Sequence, residues 1–154
     1  MKVIFLDFDG VLNHDGLDPD NRMERAQGFA NPSIALFGEK VALVARICQQ
    51  TGASIVLSTA WRHHFSQPVI EGWLAEKGLT APIVGLTPSK TSSWRTHEIR
   101  WYLEDNPDIS RYVVFDDMDL RDGKFDLFIR CDPMEGLTEE QAEEAIAYLN
   151  EEEA

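Results

Sequence analysis

Short apolar runs alternate along the chain with stretches of helical period. Val3-Ile-Phe-Leu6 is an apolar run that stops at acids, and Tyr112-Val-Val-Phe115 is a second of the same design. Ile55-Val-Leu57, Pro82-Ile-Val84 and Phe125 to Ile129 supply three more, so five strands are expected. Between them, Leu36 to Gln50 places Val41, Val44, Ala45 and Cys48 on one helical face, with Gly52 as a stop. Ser66 caps a helix carrying Val69, Trp73 and Leu74 that ends at Gly78. A third helix is expected from Ser93 to Glu104, with Trp94, Ile99, Trp101 and Leu103 as its apolar content. Thr138-Glu-Glu-Gln141 is a capping box that opens a last helix running to Asn150. Asn13 to Pro32 is polar and turn-rich and reads as a flap.

Strands alternating with helices predict an α/β layer structure around a mostly parallel five-stranded sheet. In such sheets the ligand site lies at the carboxyl ends of the strands. The polar residues of this chain collect there: Asp7 and Asp9 after the first strand, Ser58 after the second, Asp116 and Asp117 after the fourth.

Length and composition narrow the picture. The 154 residues fit a single domain, 1–154, and no apolar stretch approaches the ~20 residues needed to cross a bilayer. Cys48 and Cys131 lack the spacing of a metal site or a disulfide framework, and a cytoplasmic protein is expected. The net charge of −13 opposes non-specific attraction to nucleic acid or to an anionic membrane. Its distribution is uneven. From Ser54 to His97 only Glu71 and Glu76 stand against Arg62, Lys77, Lys90 and Arg95, a formal +2 that leaves −15 elsewhere. An anionic ligand fits that stretch, although so few charges also arise by chance.

Asp7-Phe-Asp9-Gly10 is the sharpest chemical signal. Residues two apart in an extended segment point the same way, and two adjacent carboxylates need a cation or an acid/base role. Gly10 lets the backbone turn directly afterwards. Asp-x-Asp alone is also an ordinary turn cap, but Asp116-Asp117 on another strand end offers the oxygen-rich environment that Mg²⁺ prefers. Ser58 and Thr59 offer a hydroxyl and an N–H to a phosphate oxygen. Arg95 and Lys90 are the two candidates for a balancing cation.

The ordered set Asp7-x-Asp9-Gly-Val-Leu, Ser58, a later Arg or Lys, and Asp116-Asp117 resembles the four motifs of the haloacid dehalogenase (HAD) superfamily. Ser58-Thr-Ala-Trp61-Arg62, Gly85-Leu-Thr-Pro88, Arg95-x-x-Glu98-Ile99-x-x-Tyr102-Leu103 and Gly136-Leu-Thr138 narrow it to the HAD domains grouped with "Swiss army knife" RNA-repair proteins. The resemblance implies a Rossmann-like three-layer sandwich and a Mg²⁺-dependent phosphatase. Asp7 is then the nucleophile and Asp9 the general acid and base. Asp7, the Asp9 carbonyl and Asp116 hold Mg²⁺, with Asp117 direct or through water, while Ser58 and Arg95 bind phosphate oxygens. Lys90 stays open as the third-motif cation, and Asp122 as the second fourth-motif acid.

Trp61 and Arg62 are candidates for stacking on a base and pairing with a phosphate. A core indole and an ion-paired arginine is the competing reading. For Trp94 and Trp101 core packing is expected, His63 and His64 are read as exposed, and His97 as facing solvent or pairing with Glu98. A 20-residue flap is too short for a core of its own, so the cap is minimal or absent and the site open. An open site suits a phosphate on a large substrate, such as a nucleic-acid end, or a nucleotide. A receiver-like module fits poorly, because its acceptor aspartate would follow a central strand and its acid pair an earlier one. A non-catalytic HAD-fold interaction or regulatory module is the alternative function, and a Mg²⁺-dependent nuclease a weaker rival.

Overall fold

A computed structural model describes residues 1–13, 32–90 and 93–151. Most of the flap expected over 13–32 therefore lies outside the described residues. The elements are β1 (Lys2–Leu6), α1 (Gly38–Thr51), β2 (Ser54–Leu57), α2 (Gln67–Glu76), β3 (Ile83–Leu86), α3 (Arg95–Asp105), β4 (Arg111–Asp116), β5 (Phe128–Arg130) and α4 (Glu139–Leu149). Short 3-10 turns at Pro32–Ala35, Ala60–His63 and Arg121–Gly123 link them.

The five strands pair in the order β3-β2-β1-β4-β5, every pair parallel. β1 is central, and its alternate residues feed two cores. Ile4 and Leu6 join Val41, Val44, Ile70, Leu74 and Ala142 from α1, α2 and α4. Val3 and Phe5 join Ile99 of α3 and Tyr112 and Val114 of β4 on the other face. This is the three-layer, Rossmann-like sandwich, and it explains why β1 reads as an unbroken apolar run: both of its faces are covered.

Helix ends follow local chemistry. Gly52 closes α1 at φ 76°, where its N–H donates to the Cys48 carbonyl. The Ser66 hydroxyl accepts from Val69 N–H, and Thr138 and Gln141 complete the expected capping box. Three of the boundaries that differ from expectation have a local cause. α1 starts at Gly38, because Pro32–Ala35 forms its own 3-10 turn and the buried Leu36 follows it outside the helix. β3 runs on through Gly85 to Leu86, with Gly85 against the hydroxyl end of Tyr102, which a side chain there would have to displace. β5 starts at Phe128, because Phe125 packs edge-on against Tyr112 instead of joining the ladder. Among the described residues no helix is long and apolar enough to cross a membrane.

Candidate active site

Parallel pairing brings the strand ends level. Asp7 N–H donates to the Phe115 carbonyl (3.2 Å), Ser58 N–H to Leu6 (3.1 Å) and Cys131 N–H to Asp116 (2.8 Å), so each ladder continues one step past its strand. Asp7, Ser58 and Asp116 thereby meet at one edge, all three buried. The chain leaves β1 through a tight turn in which Val11 and Leu12 N–H both donate to the Phe8 carbonyl. Gly10 adopts φ 80° there, and a Cβ on it would lie 2.6 Å from Asp117 Oδ2. Glycine at this position thus serves both the turn and the close seating of Asp117.

Carboxylate oxygens of Asp7, Asp116 and Asp117 all lie within 4.8 Å of one another, out of solvent. Burial, and then the facing Asp116, push the Asp7 carboxyl well above its usual range; Arg95 opposes them. Arg95 Nη1 lies 3.2 Å from Asp7 Oδ2 and 3.0 Å from Asp116 Oδ2. Burial works against its charge, but Asp7 and Asp116 outweigh that and hold the guanidinium pKa above normal. One arginine against three buried carboxylates leaves negative charge uncompensated. The donor set is all oxygen, as a hard divalent cation such as Mg²⁺ requires, so the residues fit that ion. Beside them the buried Ser58 Oγ has no hydrogen-bond partner among the described residues. An orphaned buried hydroxyl at the strand ends fits a phosphate oxygen or a metal-bound water.

Asp9 is held from two sides. Asn13 Nδ2 donates to its Oδ1 (3.1 Å) and the Trp61 indole N–H to its Oδ2 (3.1 Å). Asn13 also donates to the Ala35 carbonyl and accepts from Gly10 N–H, so it fixes the whole turn. Sequence reasoning missed Asn13; its place four residues after Asp9, with a short amide able to bond backbone locally, was the available signal.

The geometry separates the alternatives. Arg95, not Lys90, reaches Asp7; Lys90 is exposed, its Nζ 4.1 Å from the Trp101 ring centroid. Asp117, not Asp122, joins the carboxylate cluster; Asp122 is exposed and accepts from Thr96 Oγ1. The Thr59 hydroxyl accepts from Trp61 N–H and caps the 3-10 turn.

Two expectations are corrected. Trp61 is fully buried against Phe8, Phe65 and Trp73, so no face is left for a base. Arg62 is committed inside the protein, donating to the Thr87 and Thr59 carbonyls and lying 3.0 Å from the buried Glu98. The competing reading of both therefore describes them. A third correction concerns Trp94, expected in the core and found 69% exposed. His63, His64 and His97 are exposed, as expected. Glu98, quoted only as part of a motif, is the second group sequence reasoning missed: it anchors α3 to the loop after β2 through Arg62 and accepts from Ser93 Oγ.

Comparison with known proteins adds a family. No curated protein and no solved structure gives a significant match. The model of the HAD domain in Swiss Army Knife RNA repair proteins matches residues 3–142, which contain every group placed at the site above. The chain belongs to this HAD-domain family.

Proposed function

We propose that the protein is a Mg²⁺-dependent phosphatase that works through an aspartyl-phosphate on Asp7. The observation that carries this reading is the buried cluster of Asp7, Asp116 and Asp117 with Arg95 bridging two of its members. A Mg²⁺ ion held by Asp7, Asp116, Asp117 and the Asp9 carbonyl would offset phosphate charge as Asp7 approaches.

An Asp7 carboxylate oxygen attacks phosphorus, the bond to the ester oxygen breaks, and Asp9 gives that oxygen its proton. Asp9, now ionised, takes a proton from water as the water oxygen attacks phosphorus. The Asp7–phosphate bond breaks and inorganic phosphate leaves. Trp61 and Asn13 keep Asp9 aimed through both steps. Ser58 Oγ and Arg95 are assigned to the phosphate oxygens, where preorganised donors stabilise the transition state.

The substrate we assign is a phosphate at a nucleic-acid end or on a nucleotide. Membership of a family described from RNA repair proteins supports this, as does a flap too short to form a lid domain with its own core. The test is phosphate release in Mg²⁺ by wild type and Asp7→Asn. An aryl phosphate is compared with a short oligonucleotide carrying a 3′- or 5′-phosphate. Release that Asp7→Asn abolishes is expected; normal release by that variant sinks the mechanism. A preference for the aryl phosphate sinks the substrate class alone.

A further inference from the structure

Next to Arg95 the site opens into a cavity of about 310 Å³. Arg62 and His63 line it from beyond β2, Lys90 from beyond β3, Trp94 and Arg95 from the start of α3, and Met118 from beyond β4. Its lining carries Arg62, Lys90 and Arg95 against Glu98. The Arg62 charge is cancelled by Glu98, and burial and then Arg62 hold the His63 imidazole below its usual pKa, hence neutral near pH 7. Arg95, at the cavity's inner end, is met by Asp7 and Asp116, which leaves the Lys90 charge at the exposed rim.

Trp94 is the unusual member. Among the described residues it is the most exposed of the large hydrophobic side chains, and it directly precedes the arginine that touches the proposed nucleophile. It caps α3 through its backbone alone, with no side-chain cap bond, so the indole is not needed to start the helix. Lys90 is placed by its neighbours: its ammonium rests on Trp101 and its N–H donates to Ser93 Oγ, which in turn donates to Glu98. A planar apolar face and a fixed cation thus line the cavity that Arg95 joins to Asp7.

We propose that this cavity is the leaving-group subsite and takes the nucleoside that bears the scissile phosphate, its base stacked on Trp94. This rests on the phosphatase reading for the position of the reacting phosphate. A base presents a flat face at the distance of a sugar from its phosphate, and base–aromatic stacking contributes ~1–3 kcal/mol per base. In a nucleic-acid strand a further phosphate adjoins the terminal nucleoside, and Lys90 at the rim is the group that meets it. A phosphorylated peptide carries no such second phosphate. Trp94 therefore takes the stacking role that the sequence offered to Trp61.

The test reads binding apart from turnover. In an Asp7→Asn background with Mg²⁺, tryptophan fluorescence is titrated with a phosphate-ended oligonucleotide and with a matched strand whose terminal residue lacks its base. We expect quenching and tighter binding with the base present, both lost on adding Trp94→Ala, with affinity falling about tenfold. Trp94→Phe should retain the preference, and the baseless strand should bind all these proteins alike. Equal binding of the two strands, or equal weakening of both by Trp94→Ala, overturns the subsite. So does tighter binding of a phosphotyrosyl peptide than of the oligonucleotide. Base-dependent binding with no phosphate release from wild type leaves base stacking on Trp94 standing and removes the phosphatase, and with it the leaving-group role. Release from an aryl phosphate with no base dependence does the reverse.

Discussion

Between β1 and β4 the site is closed and acidic, with Asp7, Asp116 and Asp117 out of solvent and Arg95 locked across them. Past β2 and β3 it opens into a cavity with Lys90 at its rim, whose indole, Trp94, is mostly exposed. The closed side is fixed by backbone ladders that run one residue beyond the strands, so its carboxylates are positioned before any ligand arrives. On the open side, single side chains stand on loops and a helix cap. On the proposed function the contrast separates two tasks: the buried acids define which bond is attacked, and the exposed rim defines what that bond is attached to. Changes on the closed side should abolish reaction with every substrate, whereas changes on the open side should redistribute preference among substrates.

The largest effect expected is from Asp7→Asn, which removes the proposed nucleophile but keeps its shape. Phosphate release should fall at least about 10³-fold on all substrates. The melting temperature should hold or rise, because a buried charge facing Asp116 is removed. A preserved rate, or a loss confined to one substrate, would break the division between the two sides.

Metal removal should act on the same side. Chelation should stop phosphate release, and Mg²⁺ should restore it. Mg²⁺ should also raise the melting temperature of wild type by binding the folded state, an increment of about 2.7 kcal/mol at a hundredfold excess over Kd. Asp116→Asn should lose that increment. An unchanged melting curve on adding Mg²⁺ to wild type counts against the assigned ligands, independently of any activity.

The seam between the sides is the buried pair Arg62–Glu98, which ties α3, and so Arg95, to the loop after β2. Arg62→Met leaves Glu98 buried without its partner and should cost about 3–5 kcal/mol in urea denaturation. Arg62→Met combined with Glu98→Leu should recover much of this, since removing both charges avoids the unpaired one. If the double variant is no more stable than the single, Arg62 acts through its bonds to the Thr59 and Thr87 carbonyls instead.

The closed side was more legible in the sequence than the open one, for a physical reason. Strand-end positions follow from apolar runs, and parallel pairing brings those ends to one edge, so Asp7, Ser58 and Asp116 could be grouped from the chain alone. The two tryptophans could not be told apart that way. Helical period put Trp94 in the core, but α3 begins at Arg95, so Trp94 is the cap residue and lies outside the periodic face. Trp61 sits in a 3-10 turn, where side-chain direction follows from tertiary packing with Phe65 and Trp73. The Arg62–Glu98 pair joins distant segments and has no local signature. Gly85 and Phe125 shifted strand ends because a glycine against a tyrosine hydroxyl and a phenylalanine beside a tyrosine ring obey neighbours across the sheet.

The smallest effect expected tests whether Trp61, though misread as a base platform, still belongs to the chemistry. Its ring is packed into the core while its N–H reaches Asp9 Oδ2, so it joins the closed side to the fold's interior. Trp61→Phe keeps an aromatic ring near Phe8 and Trp73 but deletes that one donor. A hydrogen bond to a charged acceptor contributes about 1.5–3 kcal/mol, so kcat should fall about tenfold or somewhat more with KM little changed. The loss should be the same on an alkyl phosphate that bears no base and on an oligonucleotide, because the contact is to the acid rather than to the leaving group. It should also shrink for a leaving group that departs without a proton, such as a nitrophenolate. An equal loss on both leaving groups would assign Trp61 to packing alone, and a loss confined to base-bearing substrates would return it to the recognition side.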